Sequence, residues 1–218
     1  MTARGVLITL EGGEGCGKST QLRLLSDRLR AAGFTVTIVR EPGGTAVGEA
    51  VRSILLDRDH EGLDYLAELL LYEASRAQLV AQVIRPALAS AGIVICDRFA
   101  DSSTAYQGYG RDLPLDEVRA LNRAATGGLV PDLTIVLDVP PEVGLARASR
   151  ESQPDRLEAE SVAFHERVRE GFLEIAAAEP ERTVVVDASG SVADVAALVS
   201  KAVRSIPVIG VVFGGTDE

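Results

Sequence analysis

The sequence predicts an α/β fold in which a five-stranded parallel sheet is covered by helices. Five short apolar runs alternate with longer stretches whose apolar residues recur at helical spacing. The runs are continuously apolar, as expected for strands that are buried on both faces. Charged residues directly follow the first four runs, and Asp187 follows the fifth. This arrangement predicts a ligand site at the carboxyl edge of the sheet, where open parallel sheets bind their ligands.

The elements follow from the order of these patterns along the chain. The predicted strands are Val6–Leu10, Thr35–Val39, Ile93–Cys96, Leu133–Leu137 and Thr183–Val186. The helical stretches between them include Gln21–Leu29, Leu66–Leu88, Leu115–Ala125 and Phe164–Ala178. The charged residues at the strand ends are Glu11, Arg40 with Glu41, Asp97 with Arg98, and Asp138.

A glycine-rich loop follows the first predicted strand and precedes the first predicted helix. The segment from Gly12 to Ser19 matches the phosphate-binding pattern G-x-x-x-x-G-K-[ST]. Its glycines let backbone N–H groups turn toward a phosphate at the positive end of the following helix. Lys18 is predicted to reach the β- and γ-phosphates of ATP, and the Ser19 hydroxyl to bind Mg²⁺. The predicted ATP-binding residues are Gly12, Gly13, Glu14, Gly15, Cys16, Gly17, Lys18, Ser19 and Thr20.

Three acidic or thiol side chains near this loop need separate interpretation. Asp97 ends the third strand, where a carboxylate can hold the hydration shell of the same Mg²⁺. Glu14 would repel ATP phosphates, so it either faces a cationic or hydroxylic group or points out of the loop. Cys16 is interpreted as a small filler rather than a catalytic thiol.

The cationic residues are almost all arginine, since Lys18 and Lys201 are the only lysines. Arginine binds phosphate through two parallel hydrogen bonds. Arg40, Arg76 and Arg98 lie where the strand ends or a flanking helix should line the cleft. A further group, Arg147, Arg150 and Arg156, lies in a candidate lid at about residues 147–157, which interrupts two helical patterns.

Composition limits the class of protein. The 218 residues suit a single domain, assigned here to 1–206 with a tail at 207–218. The net charge of −10 argues against a nucleic-acid partner. No run of 18 apolar residues predicts a membrane span, and two cysteines are too few for a disulfide framework. The expected location is the cytoplasm.

Together these segments resemble the bacterial thymidylate kinases over nearly the whole chain. The most specific markers are Arg40-Glu-Pro-Gly-Gly-Thr45, Asp97-Arg-Phe99 and Ala105-Tyr-Gln-Gly108, beside the phosphate-binding loop that many families share. The resemblance implies a P-loop nucleoside monophosphate kinase fold with a lid, a homodimer, and transfer of the γ-phosphate of ATP to dTMP.

The resemblance also implies roles for individual residues. Tyr72 would stack on the thymine, and Arg76 would hydrogen-bond the base. Arg40 and Arg98 would hold the acceptor phosphate. Ser103 and Gln107 would reach the base edge or the sugar, and Tyr106 would crowd the position of a ribose 2′-hydroxyl. Glu14 is included in the acceptor site as well as in the loop.

One position departs from some relatives, which carry a transfer-assisting arginine where this chain has Gly15. The lid would then supply the transition-state arginine. Arg147 and Arg150 are both candidates, and Glu151 follows them where relatives often stay basic. The sequence leaves the choice between the two open.

Three other functions share some of these features. A kinase for another monophosphate or for a deoxynucleoside differs only in the acceptor pocket. A regulatory GTPase would need Asn-Lys-x-Asp, whereas Asn122 is the only asparagine and precedes Arg123. An ATPase that moves a partner protein would be expected to carry a partner-binding extension, and none is evident in the sequence.

Overall fold

The computed structural model describes residues 4–60, 62–150 and 153–213. Five strands form one sheet: β1 (Val6–Glu11), β2 (Val36–Arg40), β3 (Ile93–Asp97), β4 (Leu133–Asp138) and β5 (Thr183–Asp187). All pairings are parallel, in the order β2-β3-β1-β4-β5. The predicted fold class and all five strands are confirmed. Each strand extends one residue further than predicted at its carboxyl end and terminates in a charged residue.

The helices, with two π-helical segments, connect the strands. They are α1 (Lys18–Ala31), α2 (Ala46–Leu56), α3 (Tyr65–Leu79), α4 (Arg85–Ala89), α5 (Ala100–Ser103), α6 (Leu115–Thr126), α7 (Pro141–Ala148), α8 (Val162–Ala178), α9 (Val192–Val203) and α10 (Pro207–Phe213). The π-helical segments are Val80–Ile84, between α3 and α4, and Thr104–Gly110, after α5. Together α3, the first π segment and α4 account for the predicted helix Leu66–Leu88.

Helices cover both faces of the sheet. On one face α1 and α9 pack against β1, β4 and β5 through residues such as Leu25, Leu29 and Val199. On the other face the α3–α4 run packs against β1, β2 and β3 through Leu79, Ile84 and Leu88. This two-sided burial explains why the strands read as continuous apolar runs.

The segment after Ile206, which the sequence analysis treats as a tail, begins with α10. Ile209 on this helix is fully buried in the same core cluster as α1 and α9. Residues 214–218 of that segment, and residues 151 and 152 of the candidate lid, lie outside the described residues. Among the described helices, none is both long enough and apolar enough to cross a membrane.

Candidate active site

The glycine-rich loop connects β1 to α1 at the carboxyl edge of the sheet. Lys18, the first residue of α1, turns its Nζ back onto the loop, 3.2 Å from the Gly12 carbonyl and 2.8 Å from the Gly13 carbonyl. Gly17 caps the helix in the left-handed region, with φ 92°, and no side chain caps the helix N-terminus. The first N–H groups of α1 are therefore left for an anionic ligand.

A cavity of about 670 Å³ opens over this helix N-terminus. The predicted residues that line it are Glu14, Gly15, Cys16, Gly17, Lys18, Ser19, Thr20, Arg40, Asp97, Arg98 and Arg147. Gly12 and Gly13 lie outside this lining, and their carbonyls hold the lysine instead. Cys16 is 2% exposed and packs in the core cluster around β1.

The two predicted magnesium ligands are neighbours in the structure. The Ser19 hydroxyl donates a hydrogen bond to Asp97 Oδ2 at 3.2 Å, although the residues are 78 positions apart. A hydroxyl and a carboxylate at the floor of an anion-binding cavity are a donor set suited to Mg²⁺.

Glu14 faces a cationic group and a hydroxyl, as one reading of the sequence requires. Its Oε1 accepts hydrogen bonds from Arg98 Nη2 at 2.7 Å and from the Tyr106 hydroxyl at 2.6 Å. Burial opposes ionisation of Glu14, but the charges of Arg98 and Lys18 and the Tyr106 hydrogen bond lower its pKa to about 2. Glu14 is thus a fixed negative charge that orients the Arg98 guanidinium.

A second cavity of about 140 Å³ adjoins the first. Its lining includes Tyr72, Ser103, Tyr106 and Gln107, four of the predicted acceptor residues. The residues common to both cavities are Glu14, Glu41, Arg52, Arg98 and Glu158. Two cavities that meet at the partly buried Arg98 can hold two ligands with their phosphates facing each other.

Arg76 occupies a different position from the one expected. It is 1% exposed, does not line either of these cavities, and donates its five N–H groups to protein atoms. The acceptors are Glu41, Glu73, Asn122, the Phe99 carbonyl and Ser103. A direct contact with a base therefore requires one of these bonds to be exchanged.

The three arginines of the candidate lid lie in different environments. Arg147, in the last turn of α7, donates to the carbonyls of Ala188 and Ser189 at the far wall of the larger cavity. Arg150 is exposed and lies outside the cavity lining. Arg156 is buried, and its Nε donates to the Leu55 carbonyl at 2.9 Å. Only Arg147 of the three lines the larger cavity.

Arg52 is a cavity residue that the sequence motifs did not identify. Arg52 lies on α2, lines both cavities and donates to the Pro42 carbonyl at 3.0 Å. Its position on the helix that follows Arg40-Glu-Pro-Gly-Gly-Thr45 is a signal that could have identified it.

Glu11 is a buried carboxylate that holds the turn after β3. It accepts hydrogen bonds from the Phe99 N–H at 2.7 Å and the Ser102 hydroxyl at 2.6 Å. Arg98, between β3 and this turn, adopts the left-handed region with φ 68°. Burial and the charge of Asp101 raise the pKa of Glu11 to about 8.

This raised pKa predicts a pH-dependent stability. From its ordinary value of 4.5 up to about 8, the folded chain keeps a proton on Glu11 that the unfolded chain releases, so the contribution of Glu11 falls as pH rises. We expect Glu11→Gln to remove this slope. Denaturant unfolding of wild type and variant at pH about 5.5, 7 and 8.5 measures it. A difference between the two proteins that is constant with pH would contradict the prediction. Glu117→Gln, at an exposed position, is the control.

Several known proteins are similar to this chain in sequence and in structure. The family model described as thymidylate kinase matches residues 10–199. A thymidylate kinase of Deinococcus radiodurans is 56% identical over 187 residues, covering 86% of this chain and 90% of the relative. One from a Synechococcus strain is 57% identical over 192 residues, covering 88% and 91%. The crystal structure of thymidylate kinase from Ehrlichia chaffeensis superposes with a TM-score of 0.75 at 35% identity, covering 92% of this chain and 99% of that one.

Proposed function

Because this chain belongs to the thymidylate kinase family and is an ATP-dependent kinase that phosphorylates dTMP, we propose that its two adjoining cavities hold the two nucleotides of that reaction. ATP occupies the larger cavity over the loop Gly12–Gly17, and dTMP occupies the smaller one. The observation that carries this proposal is the shared wall, where Arg98 faces both cavities.

In the reaction the terminal P–O bond of ATP breaks to release ADP, and a new P–O bond forms to a phosphate oxygen of dTMP. Such a transfer depends on positioning and on neutralising charge. Lys18 and the N-terminus of α1 bind the ATP phosphates. Arg98, oriented by Glu14, binds the acceptor phosphate. Arg52 adds positive charge at the same wall, and Arg40 adds positive charge in the larger cavity.

We propose that Ser19 and Asp97 would hold Mg²⁺, which would neutralise negative charge on the ATP phosphates. No group of three or more His, Cys, Asp or Glu side chains suited to a metal ion is present in the described part of the chain. Mg²⁺ at phosphotransfer sites uses one or two protein ligands and completes its shell with phosphates and water. Turnover that persists in excess chelator would count against this assignment.

The thymine is proposed to lie against Tyr72, with Tyr106 closing the sugar side. We therefore expect dTMP to be the best acceptor, dUMP to be weaker, and UMP, CMP, AMP and GMP to be poor. The thymine methyl contributes only about 1–3 kcal/mol in an apolar pocket, so dUMP is disfavoured rather than excluded.

An acceptor panel tests this function. Each nucleotide is supplied at equal concentration with Mg-ATP, and kcat/KM is determined. Faster turnover of AMP, GMP or CMP than of dTMP would remove the base-pocket assignment, while the loop chemistry would stand.

The lid arginines are predicted to differ in their kinetic roles. Arg147 already lines the ATP cavity, so Arg147→Ala should raise the KM for ATP. Arg150 is proposed to reach the transferring phosphoryl group when the lid closes, so Arg150→Ala should lower kcat by about tenfold or more with little change in the KM for dTMP. If neither substitution lowers kcat tenfold, the lid does not supply the transition-state charge.

We also propose a homodimer that forms through α2 and α3. These helices pack together and expose Val47, Ile54, Leu66 and Leu70 at 39–52% of their surfaces. Adjacent exposed apolar side chains of this kind mark association surfaces. A solution mass equal to that of one 23.0 kDa chain would disprove it.

A cytoplasmic location is proposed as well, because both cysteines are free and a reducing compartment keeps thiols in that state.

A further inference from the structure

A fully buried carboxylate on α3, Glu68, has no role in the function proposed so far. It is 0% exposed, accepts hydrogen bonds from two side chains and forms an ion pair with a third. Gln107 Nε2 lies 2.9 Å from its Oε1. Arg111 contacts both oxygens at 3.3 Å, and Arg156 Nη2 lies 2.5 Å from Oε2. Burying a carboxylate is costly without such partners, so the cluster holds Glu68 rigidly.

The partners of Glu68 determine which way the Gln107 amide faces. Guanidinium groups can only donate, and an ionised carboxylate can only accept. The amide atom that faces Glu68 must therefore be Nε2, the donor. Gln107 is 1% exposed and lines the smaller cavity. Among the described residues none donates to its Oε1, which leaves this oxygen to face the cavity.

This orientation matters for the choice of base. Thymine presents a donor at N3–H beside the O4 acceptor, whereas cytosine presents an acceptor at N3 beside the N4 amino donor. An amide can match either pattern, because rotation by 180° exchanges its donor and acceptor. An unconstrained glutamine would therefore discriminate poorly between the two bases.

We propose that Glu68 is a specificity-determining positioning residue, which locks the Gln107 amide with its oxygen toward the base and so favours thymine over cytosine. The proposal rests on the assignment of the base to the smaller cavity.

The substitution Glu68→Gln tests the lock because its effect on the amide can be deduced. Two guanidinium nitrogens contact the Oε2 position and one, Arg111 Nε, contacts the Oε1 position, so the new amide keeps its oxygen at Oε2 and gives up the single Arg111 Nε contact. Its nitrogen then takes the Oε1 position and donates toward Gln107, which rotates to accept. The cavity now presents a donor, which matches cytosine.

The expected result is an increase in kcat/KM for dCMP and a fall for dTMP, with the ratio between them changing by at least about tenfold. A pocket that is merely damaged lowers both values and leaves the ratio unchanged, and that outcome would overturn the proposal. Glu160→Gln is the matched control. Glu160 binds Arg111 in the same cluster but is not bonded to Gln107, so its substitution should leave the ratio as in the wild type.

A double-mutant cycle separates this inference from the pocket assignment. Gln107→Ala should reduce the ratio, and adding Glu68→Gln to it should change the ratio no further. If Gln107→Ala leaves the ratio unchanged, the base is not read by Gln107 and the lock fails, whereas the pocket assignment is tested separately by the acceptor panel. If Gln107→Ala reduces the ratio and Glu68→Gln does not, only the lock fails.

A second variant covers the case in which Glu68→Gln does not fold. Glu68→Asp keeps the charge for Arg111 and Arg156 and withdraws the carboxylate by one methylene from Gln107. The dTMP-to-dCMP ratio should still decrease, and a wild-type ratio in this variant would overturn the proposal.

Discussion

Replacing Lys18 with alanine is expected to lower kcat by at least about 100-fold while leaving the fold intact. The ammonium lies at the N-terminus of α1, within 3.2 Å of two loop carbonyls, where the phosphates of ATP are proposed to bind. It neutralises charge that builds up during transfer, and its side chain does not belong to the apolar core.

The chain offers a well-matched control for this experiment, because it contains one other lysine. Lys201 lies exposed on α9, so Lys201→Ala should leave kcat unchanged. Steady-state kinetics and far-ultraviolet circular dichroism are measured on both variants. Loss of the helical signal in Lys18→Ala alone would assign Lys18 a structural role, and unchanged turnover would contradict its place at the phosphates.

The second large effect is expected at Gly15, where the phosphate-binding pattern allows any residue. Its φ is +58°, and a Cβ built there would lie 2.0 Å from the carbonyl oxygen of Gly144 on α7. Gly15→Ala combines left-handed strain with a collision between backbones, so we expect the free energy of unfolding to fall by about 2–4 kcal/mol. Activity should fall too, since α7 leads into the candidate lid.

Gly33→Ala separates the two causes. Gly33 also has a positive φ, +88°, but no atom lies within 4 Å of the position that a Cβ would take there. This variant should lose only about 1–2 kcal/mol. Denaturant unfolding of the two proteins measures the difference, and equal losses would show that the contact with Gly144 costs nothing.

The sheet, the loop and the family were predictable from the sequence because their signals are local. A strand buried on both faces must be apolar throughout, and a phosphate-binding loop needs its glycines, lysine and hydroxyl at fixed spacing. The meeting of Ser19 with Asp97 was also predictable, since parallel strands bring their carboxyl ends to one edge.

Other features depended on side-chain partners that no local pattern contains. Arg76 and Arg98 were both predicted from family motifs. In the structure Arg76 is buried and donates hydrogen bonds to five acceptors, whereas the Glu14 carboxylate orients Arg98 toward the cavities. Glu68 and Gln107 are 39 positions apart on elements whose packing alone brings them together. The sequence alone determined which strand-end and loop residues reach the active-site edge, because strand order and motif spacing decide that. Only the tertiary structure decided which of their hydrogen-bonding groups remain available to a ligand, because burial satisfies each donor with whichever acceptor the packing places beside it.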